Sequence, residues 1–210
     1  MKKFLKSIPG YGWLATIGWL VLNCSVYFGT RLLPHDAVYH AVALPLDSRI
    51  PLVPVMIVPY VLSYPFWGLN YLLIGREDRN TVWRFFTGAY IAKLVCLVCF
   101  LAYPTQIVRP NPTGGDVFSA LTRLIYRLDA PNNLFPSIHC LECWLGVRGI
   151  AQIERIPKSY KIFALIFSLI VFASTVLVRQ HYLLDIPAGI LTAEFGIAAS
   201  RLIWKKRGAK

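Results

Sequence analysis

Two histidines of this chain stand where phosphoryl chemistry could be done. His139 closes the run Asn132-Asn133-Leu134-Phe135-Pro136-Ser137-Ile138-His139, which leads straight into the apolar Cys140-Leu141-Glu142-Cys143-Trp144-Leu145. Proline suits the first helical position, so a helix is expected to start at Pro136. The N–H groups that follow, and the positive end of the dipole, would then form a site suited to phosphate. An imidazole there gives or takes a proton near neutral pH. His181 stands four residues before Asp185, and on a helix such a pair shares one face. An aspartate that accepts one imidazole N–H leaves the other nitrogen with a free lone pair, as an oriented nucleophile or base. Two such histidines divide the labour of phosphoryl transfer, one attacking phosphorus and the other protonating the departing alkoxide. The charge on the equatorial oxygens needs fixed donors, for which Arg109, Arg179, Ser137 and the helix start are the candidates. The carboxylate cluster of a two-metal phosphatase is missing from the sequence, so neither a metal nor another cofactor is expected. The plain alternatives are an interfacial histidine at a loop-to-helix junction and arginines anchored on lipid phosphate.

The elements that must position these residues are membrane-length. The chain has 210 residues, 56% of them hydrophobic and 15% charged, with a net charge of +12. That balance describes an all-α polytopic membrane protein in one domain over 1–210, since no linker, repeat or low-complexity tract divides it. Six spans are expected, at about 11–33, 50–74, 81–103, 136–152, 162–178 and 186–204, the first a retained helix and the second kinked by its prolines. Helical spacing of Val117, Leu121, Leu124, Ile125 and Leu128 adds a short interfacial helix in the loop between the third and fourth spans. The basic residues form short clusters between apolar runs rather than a basic, aromatic-interleaved face, which argues against a nucleic-acid partner. All five cysteines lie within spans, where C-x-x-C spacing reads as buried small hydrophobes rather than a zinc site. His35, Asp36, His40 and Asp47 share one polar loop, where solvated side chains are expected rather than a metal site. Lys93, Glu142 and Glu194 fall inside spans, where an internal Lys–Glu pair is the simplest reading.

Every lysine outside the spans lies on the same side as both termini, which the positive-inside bias assigns to the cytoplasm. Arg109, His139 and His181 then emerge together on the extracytoplasmic face.

These residues resemble a known family. Pro136-Ser137-Ile138-His139 is similar to the P-S-x-H motif of the type 2 phosphatidic acid phosphatase superfamily, His181-x-x-x-Asp185 to its H-x-x-x-D, and Arg109-Pro110 to the R-P of its first motif. The resemblance is close over the second half of the chain and architectural over the first. It implies that His181 is the nucleophile, Asp185 its orienting partner, His139 the acid, and Arg109 and Ser137 phosphate-binding groups. Ala102 stands where the family's first motif has a lysine, and Ser174-Thr175 where its third begins Ser-Arg. Arg179, about one turn further, is expected to supply the missing charge. Asn-x-Phe-Pro-Ser-x-His-Cys and Gln-His-Tyr-x-x-Asp are most similar to the branch containing inositol phosphorylceramide and sphingomyelin synthases, whose members transfer to an alcohol. The implied function is a metal-independent lipid phosphate phosphatase working through a phosphohistidine, with head-group phosphotransferase as the alternative. A non-enzymatic transporter or scaffold is the second alternative. The implied partners are a phosphorylated lipid and the bilayer of a plasma (inner) membrane or endomembrane; homo-oligomerisation stays open.

Overall fold

The computed structural model describes residues 2–32 and 38–208. It is all-helical, with α1 (Lys2–Lys6), α2 (Gly10–Leu32), α3 (Ile57–Ile74), α4 (Arg79–Ala102), α5 (Val117–Leu128), α6 (Ile138–Ala151), α7 (Lys158–Leu177) and α8 (Asp185–Gly208). Polar caps mark two of the starts. Asp78 accepts the N–H groups of Asn80 and Thr81 before α4, and Asp116 those of Phe118 and Ser119 before α5.

Among the described residues, five helices are long and apolar enough to cross a membrane: α2, α3 with the turn before it, α4, α7 and α8. Their outward faces carry Leu14, Val21, Val98, Ile166, Leu169, Leu191 and Phe195, all exposed. So wide an apolar exterior suits lipid rather than water. The expected second span begins later than its sequence pattern indicates. Pro51 lies outside any helix, Pro54 opens a short 3-10 turn over Pro54–Met56, and only Pro59 and Pro65 fall within α3. The expected fourth span corresponds to α6, which has only 14 residues. At 1.5 Å per residue it covers about 21 Å, against about 30 Å of bilayer hydrocarbon.

Short as it is, α6 lies at the centre. It packs against α3, α7 and α8, while α4 lies against α2 and α8. Ten of its residues, from Ile138 to Ile150, are buried. The close approach of α8 to α6 requires Gly189, because a Cβ there would meet the Ser137 carbonyl oxygen at 2.6 Å and the Leu141 nitrogen at 3.1 Å. The amphipathic α5 is oriented with Ser119 and Thr122 buried and Val117, Leu124 and Leu128 exposed. Cys140 and Cys143 pack as small apolar residues in the core.

The internal ionisable residues are paired. Lys93 Nζ lies 2.6 Å from Glu142, and both side chains are fully enclosed. Glu142 also accepts from Trp19 Nε1 at 3.1 Å and Tyr71 Oη at 2.5 Å, and Lys93 donates to Asn23 at 2.7 Å. Glu194 takes Arg148 and Trp144 instead. A buried pair is weak evidence for net stability, but removing one member strands the other charge. Glu142→Ala should therefore cost about 3–5 kcal/mol, read as a marked fall in melting temperature in detergent. The double change Lys93→Met with Glu142→Leu should recover most of it. A single variant that melts like wild type would refute this account of the core.

Candidate active site

The first half of the site is the entrance to α6. Ser137, not Pro136, sets the helix start: its backbone is extended and its hydroxyl accepts the Cys140 N–H at 3.3 Å, so Ser137 is the N-cap. The expectation of proline at the first helical position is corrected here, because serine satisfies an orphan N–H that proline cannot. Pro136 precedes the cap, after a cis Phe135–Pro136 peptide. His139, on the first turn, is 7% exposed. Its ring is stacked on Tyr60 at 4.2 Å and meets the edges of Tyr64 and Trp67 at 5.4 and 5.0 Å. Its Nε2 is buried without a hydrogen-bond partner.

The second half is the turn between α7 and α8. α7 ends in a reversal in which Arg179 N–H donates to Val176 and Gln180 N–H to Thr175, the paired bonds of a Schellman motif. Its left-handed position, usually glycine, is Arg179, with φ of 52°. The His181 N–H also donates to the Thr175 carbonyl, at 3.1 Å. His181 and Asp185 are not on one helix, as the spacing suggested, because α8 begins at Asp185 itself. The turn makes the pair instead: Asp185 Oδ2 lies 3.0 Å from His181 Nδ1 and accepts the Tyr182 N–H at 2.9 Å. An acid in the first turn of a helix is also favoured by its dipole.

The two halves meet. The Ser137 N–H donates to the Asp185 carbonyl at 3.2 Å, and the His139 and His181 ring centroids are 5.8 Å apart. Both rings line one cavity of about 470 Å³, with Tyr27, Tyr60, Tyr64, Trp67, Asp129, Asn133 and Gln180 among its walls. Leu20, Cys24 and Phe28 of α2 and Ile125 and Leu128 of α5 complete an apolar side.

His139, His181, Asp185 and Ser137 are thus brought together. The arginines are not aimed into the cavity. Arg109 donates to the carbonyls of Asp129 at 2.5 Å and Ala130 at 3.2 Å, and to the side-chain oxygen of Gln180. Its guanidinium also lies over the Tyr126 ring. Arg179 donates to the carbonyls of Asp47 and Ile50. For Arg179 to touch phosphate it would have to leave those carbonyls.

Three residues at the site carried no clear sequence signal. Gln180 is 1% exposed, its oxygen is taken by Arg109, and its Nε2 is buried without a partner at the cavity wall. Its hint was its place at the head of the Gln-His-Tyr-x-x-Asp pattern, which gave it no role of its own. Asp129 lines the cavity and accepts from the hydroxyls of Tyr27 and Tyr60. Burial pushes its carboxyl up to about 7, partly opposed by His181. Asp47 is not solvated as expected. It is 3% exposed and accepts the N–H groups of Leu44 and Leu183, at 2.6 and 2.9 Å, which pins the turn carrying His181. Of the other loop residues considered for metal, His40 stacks on Tyr103 at 4.2 Å, while His35 and Asp36 lie outside the described residues.

No family model matches this chain, and no curated protein or solved structure matches it.

The left-handed Arg179 separates charge from conformation. Outside glycine, that conformation costs about 1–2 kcal/mol, so Arg179→Gly relieves strain while losing the clamp on Asp47 and Ile50. Arg179→Ala loses the clamp and keeps the strain. Arg179→Gly should melt above Arg179→Ala in detergent; the reverse order would contradict the Schellman assignment.

Proposed function

We propose that this chain is a membrane-integral, metal-independent lipid phosphate phosphatase, related to the type 2 phosphatidic acid phosphatases, that works through a phosphohistidine. The observation that carries the reading is the pair of imidazoles 5.8 Å apart on one cavity, one of them held by a buried aspartate. With Nδ1 on Asp185, His181 presents Nε2 to phosphorus. The lone pair forms a P–N bond as the P–O bond to the lipid breaks, and the departing oxygen takes a proton from His139. Water then attacks the phosphohistidine, the P–N bond breaks, and inorganic phosphate leaves. Ser137, Arg109 and Arg179 remain the proposed phosphate-binding groups. Arg109 has a second route to the phosphate, since it fixes the Gln180 amide at the cavity wall.

The substrate reading is supported by the apolar wall formed by α2 and α5, which suits hydrocarbon chains beside a polar reaction centre. We read α6 as a membrane span, the fourth of six, shielded from lipid by its neighbours, and α5 as interfacial because Val117, Leu124 and Leu128 are exposed while Leu121 and Ile125 pack on the bundle. The lysine distribution supports cytoplasmic termini and an extracytoplasmic site. Head-group transfer to an alcohol is the second reading, favoured by a cavity of about 470 Å³, far more room than a phosphate and one water need.

Purified protein given a panel of phosphorylated lipids separates the two. Release of inorganic phosphate is expected, and head-group transfer to diacylglycerol or another alcohol would favour the second reading. His181→Ala should lower either activity at least about 10³-fold, with His139→Ala also strongly impaired. Unchanged turnover in His181→Ala would show that the nucleophile is elsewhere.

A further inference from the structure

The cavity contains a third proton-carrying side chain that the two-histidine scheme does not use. Asp129 follows α5 directly, and four parts of the chain hold it in place. Its main-chain N–H donates to Ile125 at 2.8 Å, and its carbonyl accepts from Arg109. Its carboxylate takes the hydroxyl of Tyr27 from α2 on one oxygen and that of Tyr60 from α3 on the other, the latter at 3.1 Å. Tyr60 in turn is the ring stacked on His139. The acid therefore shares a wall with His139 and is joined to it by one side chain. Among the described residues, the charged and titratable groups packed about Asp129 include Tyr27, Tyr60, His181 and, on its own carbonyl, Arg109. A carboxylate set against lipid or water for solubility alone would not need two phenol donors from separate helices.

We propose that Asp129 is the base of the second half-reaction, accepting the proton of the hydroxyl that discharges the phosphohistidine. This rests on the phosphohistidine reading above and holds for either water or an alcohol as acceptor. In that step the acceptor oxygen bonds phosphorus, and the P–N bond breaks with its electron pair returning to His181 Nε2. The acceptor proton passes to the Asp129 carboxylate. The cycle closes when that proton reaches His139, which spent its own on the departing lipid oxygen. A carboxyl that burial pushes up to about 7 can both take and return a proton near neutrality. The two phenols stabilise its ionised form by hydrogen bonding.

The test is rapid-quench kinetics on the full chain in detergent, with phosphatidic acid labelled in its phosphate, at pH values on both sides of neutrality. Asp129→Asn should form the phosphoenzyme and release the first equivalent of diacylglycerol at the wild-type rate. Its discharge should then fall about 10²-fold or more, so that phosphoenzyme accumulates, and the rise of the discharge rate through pH 7 or so should vanish. Asp129→Glu should restore part of the discharge. Tyr60→Phe, which keeps the ring on His139, should move the pH limb upward, and so should Tyr27→Phe. These two variants decide the matter if Asp129→Asn gives no monodisperse protein. Discharge at the wild-type rate with an unchanged pH limb overturns the role of Asp129 while leaving the histidine mechanism standing, as does equal slowing of formation and discharge. A wild-type chain that cleaves phosphatidic acid with no phosphoenzyme overturns both.

Discussion

The site depends on what the buried carboxylate of Asp185 can hold in place. It is fully enclosed, and such a charge is tolerable only when strongly hydrogen-bonded and well placed. Here the side chain takes the His181 ring and the Tyr182 N–H, while the carbonyl of the same residue takes the Ser137 N–H. One residue thus ties the mouth of α8 to the mouth of α6. The position at the start of α8 helps, since the dipole there favours negative charge. Separate those two mouths and the histidines no longer share a cavity.

The surrounding loops answer to that constraint. The reversal after α7 must turn sharply enough to lay His181 over the α6 entrance, and the chain does so through an arginine in the left-handed region. Arg179 and Asp47 hold the turn from outside, one through its guanidinium on the 47–50 carbonyls and the other through its carboxylate on Leu183 N–H. On the opposite wall, Asn133 is the other described non-glycine residue with positive φ. Asparagine tolerates that conformation, and its side-chain amide donates to Thr30 of α2 at 2.9 Å. Backbone strain of this kind is kept where the surroundings determine the conformation, and here Asn133 lines the cavity while Arg179 directly precedes Gln180 and His181, which also line it. Deeper in the bundle, the Lys93–Glu142 pair joins α4 to α6 beneath the histidines.

Much of this was legible because the relevant signals are local. Apolar runs of membrane length announce their helices, and the ionisable Lys93 and Glu142 could satisfy one another only inside the bundle. His139, His181 and Asp185 stood out by chemistry and spacing. What was not legible depends on three-dimensional closure. The apolar run at 136–152 gives no sign that its helix is a short central one. The four-residue spacing of His181 and Asp185 suggested a helix face, yet a turn makes the contact. Arg109 and Arg179 looked like phosphate donors because their charge is visible in sequence. The backbone carbonyls that engage them belong to segments as distant as 47–50 for Arg179 and 126–130 for Arg109. Asp47 reads as an ordinary loop acid, and Asp129 gives no signal of its own, until the N–H groups and tyrosines that surround them are placed.

Orthovanadate, which takes up the geometry of a transferring phosphoryl group, probes the central claim most directly. A structure of the protein with vanadate should show vanadium bonded to His181 Nε2 and an apical oxygen within hydrogen-bond reach of His139, with Asp185 still on Nδ1. Vanadate bound away from the histidines, or bridging neither of them while the cavity stays open, would contradict a phosphoryl-transfer site between these two helix mouths.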